Sequence, residues 1–229
     1  MSSLPRKRLD ATLCGGYAQE GKCYAHLTLT ARNTASSPPL PARQNMQPFY
    51  QGKIDNFCAM YAVLNAVQIV HELSPGQARN IFNLFLFHAS RDEKKFWDIL
   101  THKTDYTREV DQMLEMVSQT HAIKAQAPFH RDQPCAEVWR AMTEQVRPEE
   151  HKTVLFRFCR YSAMSMKPKV DHWTSSLCMD EGGIRLFDCS LEPDGLYHLK
   201  PEQLKQAPAL LAGDYFVIPP ESVRFLSRA

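Results

Sequence analysis

Several absences narrow the chain before any motif is read. No apolar run approaches the roughly 18 residues of a membrane span; the longest, residues 57–64, stops at Asn65. Charge of one sign is not in excess: 27 Lys and Arg stand against 25 Asp and Glu, a formal net charge of +2. That balance makes no case for a nucleic-acid partner, for which a clustered basic face is expected. The first ten residues are basic but lack the apolar core of a secretory signal. Seven cysteines, at positions 14, 23, 58, 135, 159, 178 and 189, are odd in number and form no tight framework. Free thiols in a reducing compartment are the simpler expectation. The chain is therefore expected to have no membrane span and to work in the cytoplasm, or to be secreted without a cleavable signal peptide.

What is present suits one substantial domain. The length, 229 residues, supports a real core, and 44% hydrophobic with 23% charged residues is ordinary for a globular protein. The first 45 residues differ from the rest. They hold Gly15-Gly16 and a Pro/Ser-rich run over 33–43 that cannot build a core. Residues 1–45 are expected to be a partly ordered tail or arm, with alternation over 24–32 suggesting one edge strand. Arg6-Lys7-Arg8 reads as part of that solvated tail. Cys14, Cys23 and His26 have a spacing that fits no common zinc pattern.

Residues 46–229 form the expected domain, and the hydrophobic period changes midway through it. Residues 57–72 are apolar nearly all round, which predicts a buried helix, with Asp55 and Asn56 as capping candidates. Ser74 and Pro75 supply a cap and first-turn proline for a second helix over 75–89. Further helices are expected over 92–101, 107–120 and 135–146. Residues 81–87 (IFNLFLF) form a dense apolar cluster whose default reading is core packing. Strand patterns then follow over 153–158, 170–179, 184–189 and 215–219. Residues 180–183 (DEGG) mark a hairpin between the second and third of these. Helices followed by a mostly antiparallel sheet argue for an α+β fold.

Three separated pieces carry chemistry. Cys58 opens the buried helix, and Gln51 precedes it by seven positions. A helix N-terminus carries about half a positive charge and unpaired N–H groups, and both stabilise the reactive thiolate. The Gln51 amide and the backbone N–H of Cys58 can bind an oxyanion together; Asn56 is the other side-chain candidate. His172, followed by Trp173, lies on a predicted strand, where an imidazole can pair with the thiolate and the indole can shield the pair. Asp188 lies beyond the hairpin and can fix the imidazole tautomer, with Cys189 and Ser190 as alternatives because the register is open. Cys178 and Cys189 flank the hairpin and could also face each other. The remaining histidines, His71, His88 and His130 among them, are scattered.

The order Gln51, Cys58-Ala59, His172-Trp173, Asp188 resembles papain-like cysteine peptidases. Two branches are most similar. One is the Josephin-type deubiquitinases, whose helix opens on a Cys-Ala-x5-Asn segment matched here by Cys58, Ala59 and Asn65. The other is the bacteriocin-processing peptidase domain of export transporters. The likeness covers about residues 48–72 and 168–192. It implies a papain-like fold, with the nucleophile at a buried helix N-terminus packed on an antiparallel sheet. It also implies a Cys58–His172–Asp188 triad, with Gln51 in the oxyanion hole, cleaving a peptide or isopeptide bond through a thioester. A protein or peptide substrate follows, ubiquitin-like or of peptidoglycan type, with no metal or organic cofactor. Two other functions fit the same residues: a deamidase, amidase or transglutaminase-like acyltransferase, and a non-catalytic binding module on this scaffold.

Overall fold

Helix α1 (Cys58–His71) is the element around which the domain is arranged, and eleven of its fourteen residues are buried. In the computed structural model the described residues are 46–51, 56–190 and 198–229. The chain divides into two units, 1–40 and 41–229, and every described residue lies in the second. The expectations for residues 1–45, including the edge strand, the Cys14/Cys23/His26 set, the basic triplet and the tail itself, lie outside the described residues. So does Asp55.

The helical half closely matches its sequence signals. Helix α2 (Pro75–Ala89) starts at Ser74, whose hydroxyl accepts from the Gln77 N–H while the Gln77 side chain accepts from the Ser74 N–H. This capping box satisfies two donors that a helix start leaves unpaired. Helix α3 (Glu93–Leu100) is capped by Asp92, and α4 (Thr107–Ser118) and α5 (Cys135–Gln145) follow. Helix α1 differs. Its N-cap is Phe57, with no side-chain cap, and the Asn56 side chain donates instead to the Leu100 carbonyl at 3.0 Å. The expected Asn56 cap is not made: the helix begins one residue later, with Phe57 at the N-cap position, and the Asn56 side chain ties the start of α1 to the end of α3.

Strands β1 (Ile123–Gln126), β2 (Lys152–Tyr161), β3 (Pro168–Asp180), β4 (Gly183–Phe187), β5 (His198–Leu199), β6 (Tyr215–Val217) and β7 (Arg224–Arg228) form an antiparallel sheet. The order is β1-β7-β2-β3-β4-β5, with β6 pairing with β2 beyond β7. The domain is thus α+β, as the change of period predicts. Strand β2 explains why the sheet is covered on both faces. Leu155 joins the core of α1 to α4, while Val154, Phe156 and Phe158 join a second core with Val138 and Met142 of α5. Side chains alternate along a strand, so a strand buried on both faces must be apolar almost throughout, as residues 153–158 are.

The β3–β4 hairpin turns through Glu181 and Gly182, with φ of 45° and 77°. Two left-handed residues are what a tight two-residue hairpin turn requires. A Cβ on Gly183 would lie 2.7 Å from the Leu199 carbonyl oxygen, so the second glycine admits β5. Between Ser176 and Cys178 the β3–β4 register shifts by one residue, which is a β-bulge.

The apolar cluster of α2 is split by the helix period. Ile81 and Phe85 are buried, while Leu84 and Phe87 are 47% and 57% exposed. The same division yields a stability prediction. Ile69→Ala in α1, at a fully buried position, is expected to cost about 2–5 kcal/mol. Leu84→Ala is expected to stay within about 0.5 kcal/mol. Urea unfolding of both variants checks this, and equal losses would contradict the central place of α1.

Candidate active site

The first turn of α1 contains no acidic residue and no side-chain cap, so among the described residues that turn adds no negative charge at the positive end of the helix. Cys58 is its first residue and is 5% exposed. His172 sits on β3, opposite Phe158 of β2, and the two rings pack edge to face at 5.6 Å. Its Nε2 hydrogen-bonds Asp188, at 3.0 Å to Oδ2 and 3.2 Å to Oδ1. The Cys58 thiol is close enough to hydrogen-bond the same imidazole. Cys58, His172 and Asp188, far apart in sequence, are thus brought together.

Asp188 faces the histidine because of the register. Ser175 pairs with Phe187, so one step further Asp188 comes level with Thr174 and shares the parity of His172. Its Oδ1 also accepts the Ser190 N–H at 2.7 Å. The buried Thr174 hydroxyl makes no well-formed hydrogen bond, yet it lies close enough to Asp188 to favour its charge. Ser190 therefore supports Asp188 through its backbone and does not replace it.

Cys189 is a second thiol at the site. Its Sγ lies 4.0 Å from His172 Nε2, 3.7 Å from Gln51 Oε1 and 3.8 Å from the Cys58 carbonyl oxygen. It is free, as is Cys178, which pairs in register with Arg185. The suggestion that Cys178 and Cys189 face each other is thus corrected: Cys189 lies past the end of β4 and turns toward α1. Gln51 is tied to the same segment, its N–H donating to the Cys189 carbonyl at 2.8 Å. Of the two oxyanion candidates, Gln51 stands at the site and Asn56 is engaged at Leu100.

The charges are distributed unevenly. Burial alone would lower the pKa of His172. Hydrogen bonds to Asp188, Cys189 and Cys58, with the charge of Asp188, reverse this and hold the ring well above its ordinary value. Asp188 is pushed up by burial but pulled below its ordinary value by His172, Thr174 and the Ser190 N–H. Burial raises the Cys189 thiol to about 11 despite the nearby imidazole, so it is neutral at physiological pH.

Two neighbours of His172 belong to a different network. Asp171 is held by Arg157 through two 2.6 Å hydrogen bonds. Trp173, 1% exposed, donates its indole N–H to the Asp105 carbonyl at 2.8 Å. Strand alternation turns both away from the imidazole, so Asp171 is engaged by Arg157 rather than by His172 and Trp173 anchors β3 to the α3–α4 connection. The sequence reading missed Arg157 and Asp105, for which it carries no local signal.

The ligand atoms of His172, Asp188 and Cys189 lie within 4.8 Å of one another, close enough to hold a metal ion. The same spacing arises from a His–Asp hydrogen bond with a thiol beside it. No helix among the described residues is long and apolar enough to cross a membrane. No family model matches the chain, and no curated protein matches it.

The His172–Asp188 pair makes stability depend on pH. The folded pKa of His172 is raised, so its contribution is whole below about pH 6.5 and is lost as pH rises through the folded value. The folded pKa of Asp188 is lowered, so its contribution is present above about pH 3.9 and is lost on further acidification. Both describe one contact, strongest between those limits. Asp188→Asn is expected to cost about 2 kcal/mol near pH 5, and the deficit should shrink toward pH 10. Denaturant midpoints across that range test it; a constant deficit would contradict the ion pair.

Proposed function

We propose that the protein is a papain-like thiol hydrolase that cleaves a peptide or isopeptide bond, with Cys58 as nucleophile and His172 as acid and base. The observation that carries this reading is a single imidazole shared between the Cys58 thiol and the Asp188 carboxylate, at the start of a buried helix. An acyl-transfer site needs those relations: nucleophile to base, base to orienting acid, and N–H donors at the carbonyl.

The steps follow from the groups. His172, whose pKa is held above its ordinary value by Asp188 against the effect of burial, takes the proton of the thiol. The Cys58 thiolate attacks the carbonyl carbon, and the tetrahedral oxyanion is met by the helix N–H groups and the Gln51 amide. The imidazolium gives its proton to the departing amine as the C–N bond breaks, leaving a thioester on Cys58. Neutral His172 then takes a proton from water, which attacks the thioester, releasing the acid and restoring the thiol. Asp188 holds the tautomer throughout. Ubiquitin chains and peptidoglycan peptides are the substrates to present first.

Alkylation by iodoacetamide near neutral pH, followed by peptide mass mapping, tests the nucleophile. Cys58 should be modified while Cys189 stays protected, since the Cys189 thiol is neutral and 1% exposed. His172→Ala should slow modification of Cys58 by about tenfold or more. An inert Cys58, or one indifferent to His172, would overturn the hydrolase reading and leave a binding module on the same scaffold.

A further inference from the structure

The start of the helix and the Gln51 segment are linked through a residue that takes no part in the chemistry just described. Asn65 lies seven residues after Cys58 on α1, two turns on and therefore on nearly the same helix face. It is 0% exposed. Its side-chain amide makes a two-point contact with the peptide groups of Phe49: the Phe49 N–H donates to Oδ1 at 2.7 Å, and Nδ2 donates to the Phe49 carbonyl at 3.2 Å. Two residues further on, the Gln51 N–H donates to the Cys189 carbonyl at 2.8 Å. The backbone from 49 to 51 is thus pinned at one end to the nucleophile's helix and at the other to the segment carrying Asp188.

We infer that Asn65 is a positioning residue that sets the Gln51 amide at the oxyanion site by clamping the backbone of Phe49. A buried Asn in mid-helix is costly unless its amide is satisfied, and here both of its groups are spent on the backbone of one residue. A paired amide contact fixes both the height and the rotation of the chain it holds, as a short stretch of β-ladder would. With its main-chain N–H fixed two residues later, Gln51 has little remaining freedom beyond its own side-chain torsions. An oxyanion donor must lie about 2.7–3.1 Å from where charge develops, so a clamp at Phe49 is felt at Gln51. The inference rests on the thiol-hydrolase reading, because it concerns the charge formed on a carbonyl under attack.

Two probes of Cys58 separate a positioning role from a structural one. Acylation by p-nitrophenyl acetate passes through a tetrahedral oxyanion, whereas alkylation by iodoacetamide does not. Both are read as modification of Cys58 by peptide mass mapping in the full chain. Gln51→Ala is expected to slow acylation by about a hundredfold. Asn65→Asp, which keeps the acceptor but sets an oxygen against the Phe49 carbonyl, is expected to slow it by about tenfold to a hundredfold. Alkylation should change by less than about twofold in both variants, since no oxyanion forms. Combined with Gln51→Ala, the Asn65 substitution should add nothing, because the two act through one contact. Asn65→Ser serves the same comparison where Asn65→Asp does not fold. Equal losses with the two probes, or additive losses in the double variant, would overturn the positioning role. A wild-type Cys58 inert to both probes would remove the hydrolase reading itself, and the inference with it.

Discussion

The burial of α1 against the middle of the sheet is the constraint on which the rest depends. A helix with eleven of fourteen residues enclosed cannot slide or rotate without opening cavities, and interiors resist that strongly. Its first residue therefore has a fixed place relative to β2 and β3, on which the helix packs. The aliphatic residues of α1 hold a thiol at a defined height beside a strand histidine. They also set the direction of the helix dipole, whose positive end meets that thiol. Packing and electrostatics are properties of the same fourteen residues here.

Around that helix, polar groups are paired in separate compartments. His172 and Asp188 form one pair and Arg157 and Asp171 another, although Asp171 and His172 are adjacent in sequence. Alternation along β3 keeps the two pairs on opposite faces. A strand can thus carry a carboxylate next to its base without a second anion competing for the imidazole. The two thiols near His172 are distinguished in a similar way. Cys189 follows the end of a strand with no helix start to stabilise an anion, and burial holds it neutral. Cys58 begins a helix.

Much of this arrangement is legible in the sequence. The all-round apolar run gives α1, Ser74 followed by Pro75 gives the start of α2, and the DEGG turn gives the hairpin that brings residue 188 near residue 172. These are local signals, each written within four to sixteen residues. The short strands β1, β5 and β7 are less legible, because segments of two to five residues carry too little period to separate them from loops. The start of α1 misleads for another reason. Asn56 is a good capping residue by type, but α1 begins a residue later, at N-cap Phe57, and the Asn56 amide donates to a carbonyl at the end of α3 across 44 residues. The pairing of Asp171 with Arg157 is likewise non-local, and Asn65 reveals its clamp only once residue 49 is folded back on it.

The bulge in β3 has a consequence for how this chain tolerates changes in length. Beyond the turn the ladder runs Asp180 to Gly183, Met179 to Ile184 and Cys178 to Arg185; past Leu177 it runs Ser176 to Leu186 and Ser175 to Phe187. Continued without that shift, the first register would set residue 188 level with Ser175, on the face away from His172. One extra residue in a strand thus decides which side of the sheet the carboxylate occupies. Insertions and deletions in pairs preserve such parity, whereas single ones reverse it. This hairpin is accordingly a segment where the gain or loss of one residue within a strand would turn Asp188 away from His172. An odd-length change here would survive only if a second one nearby restored the count.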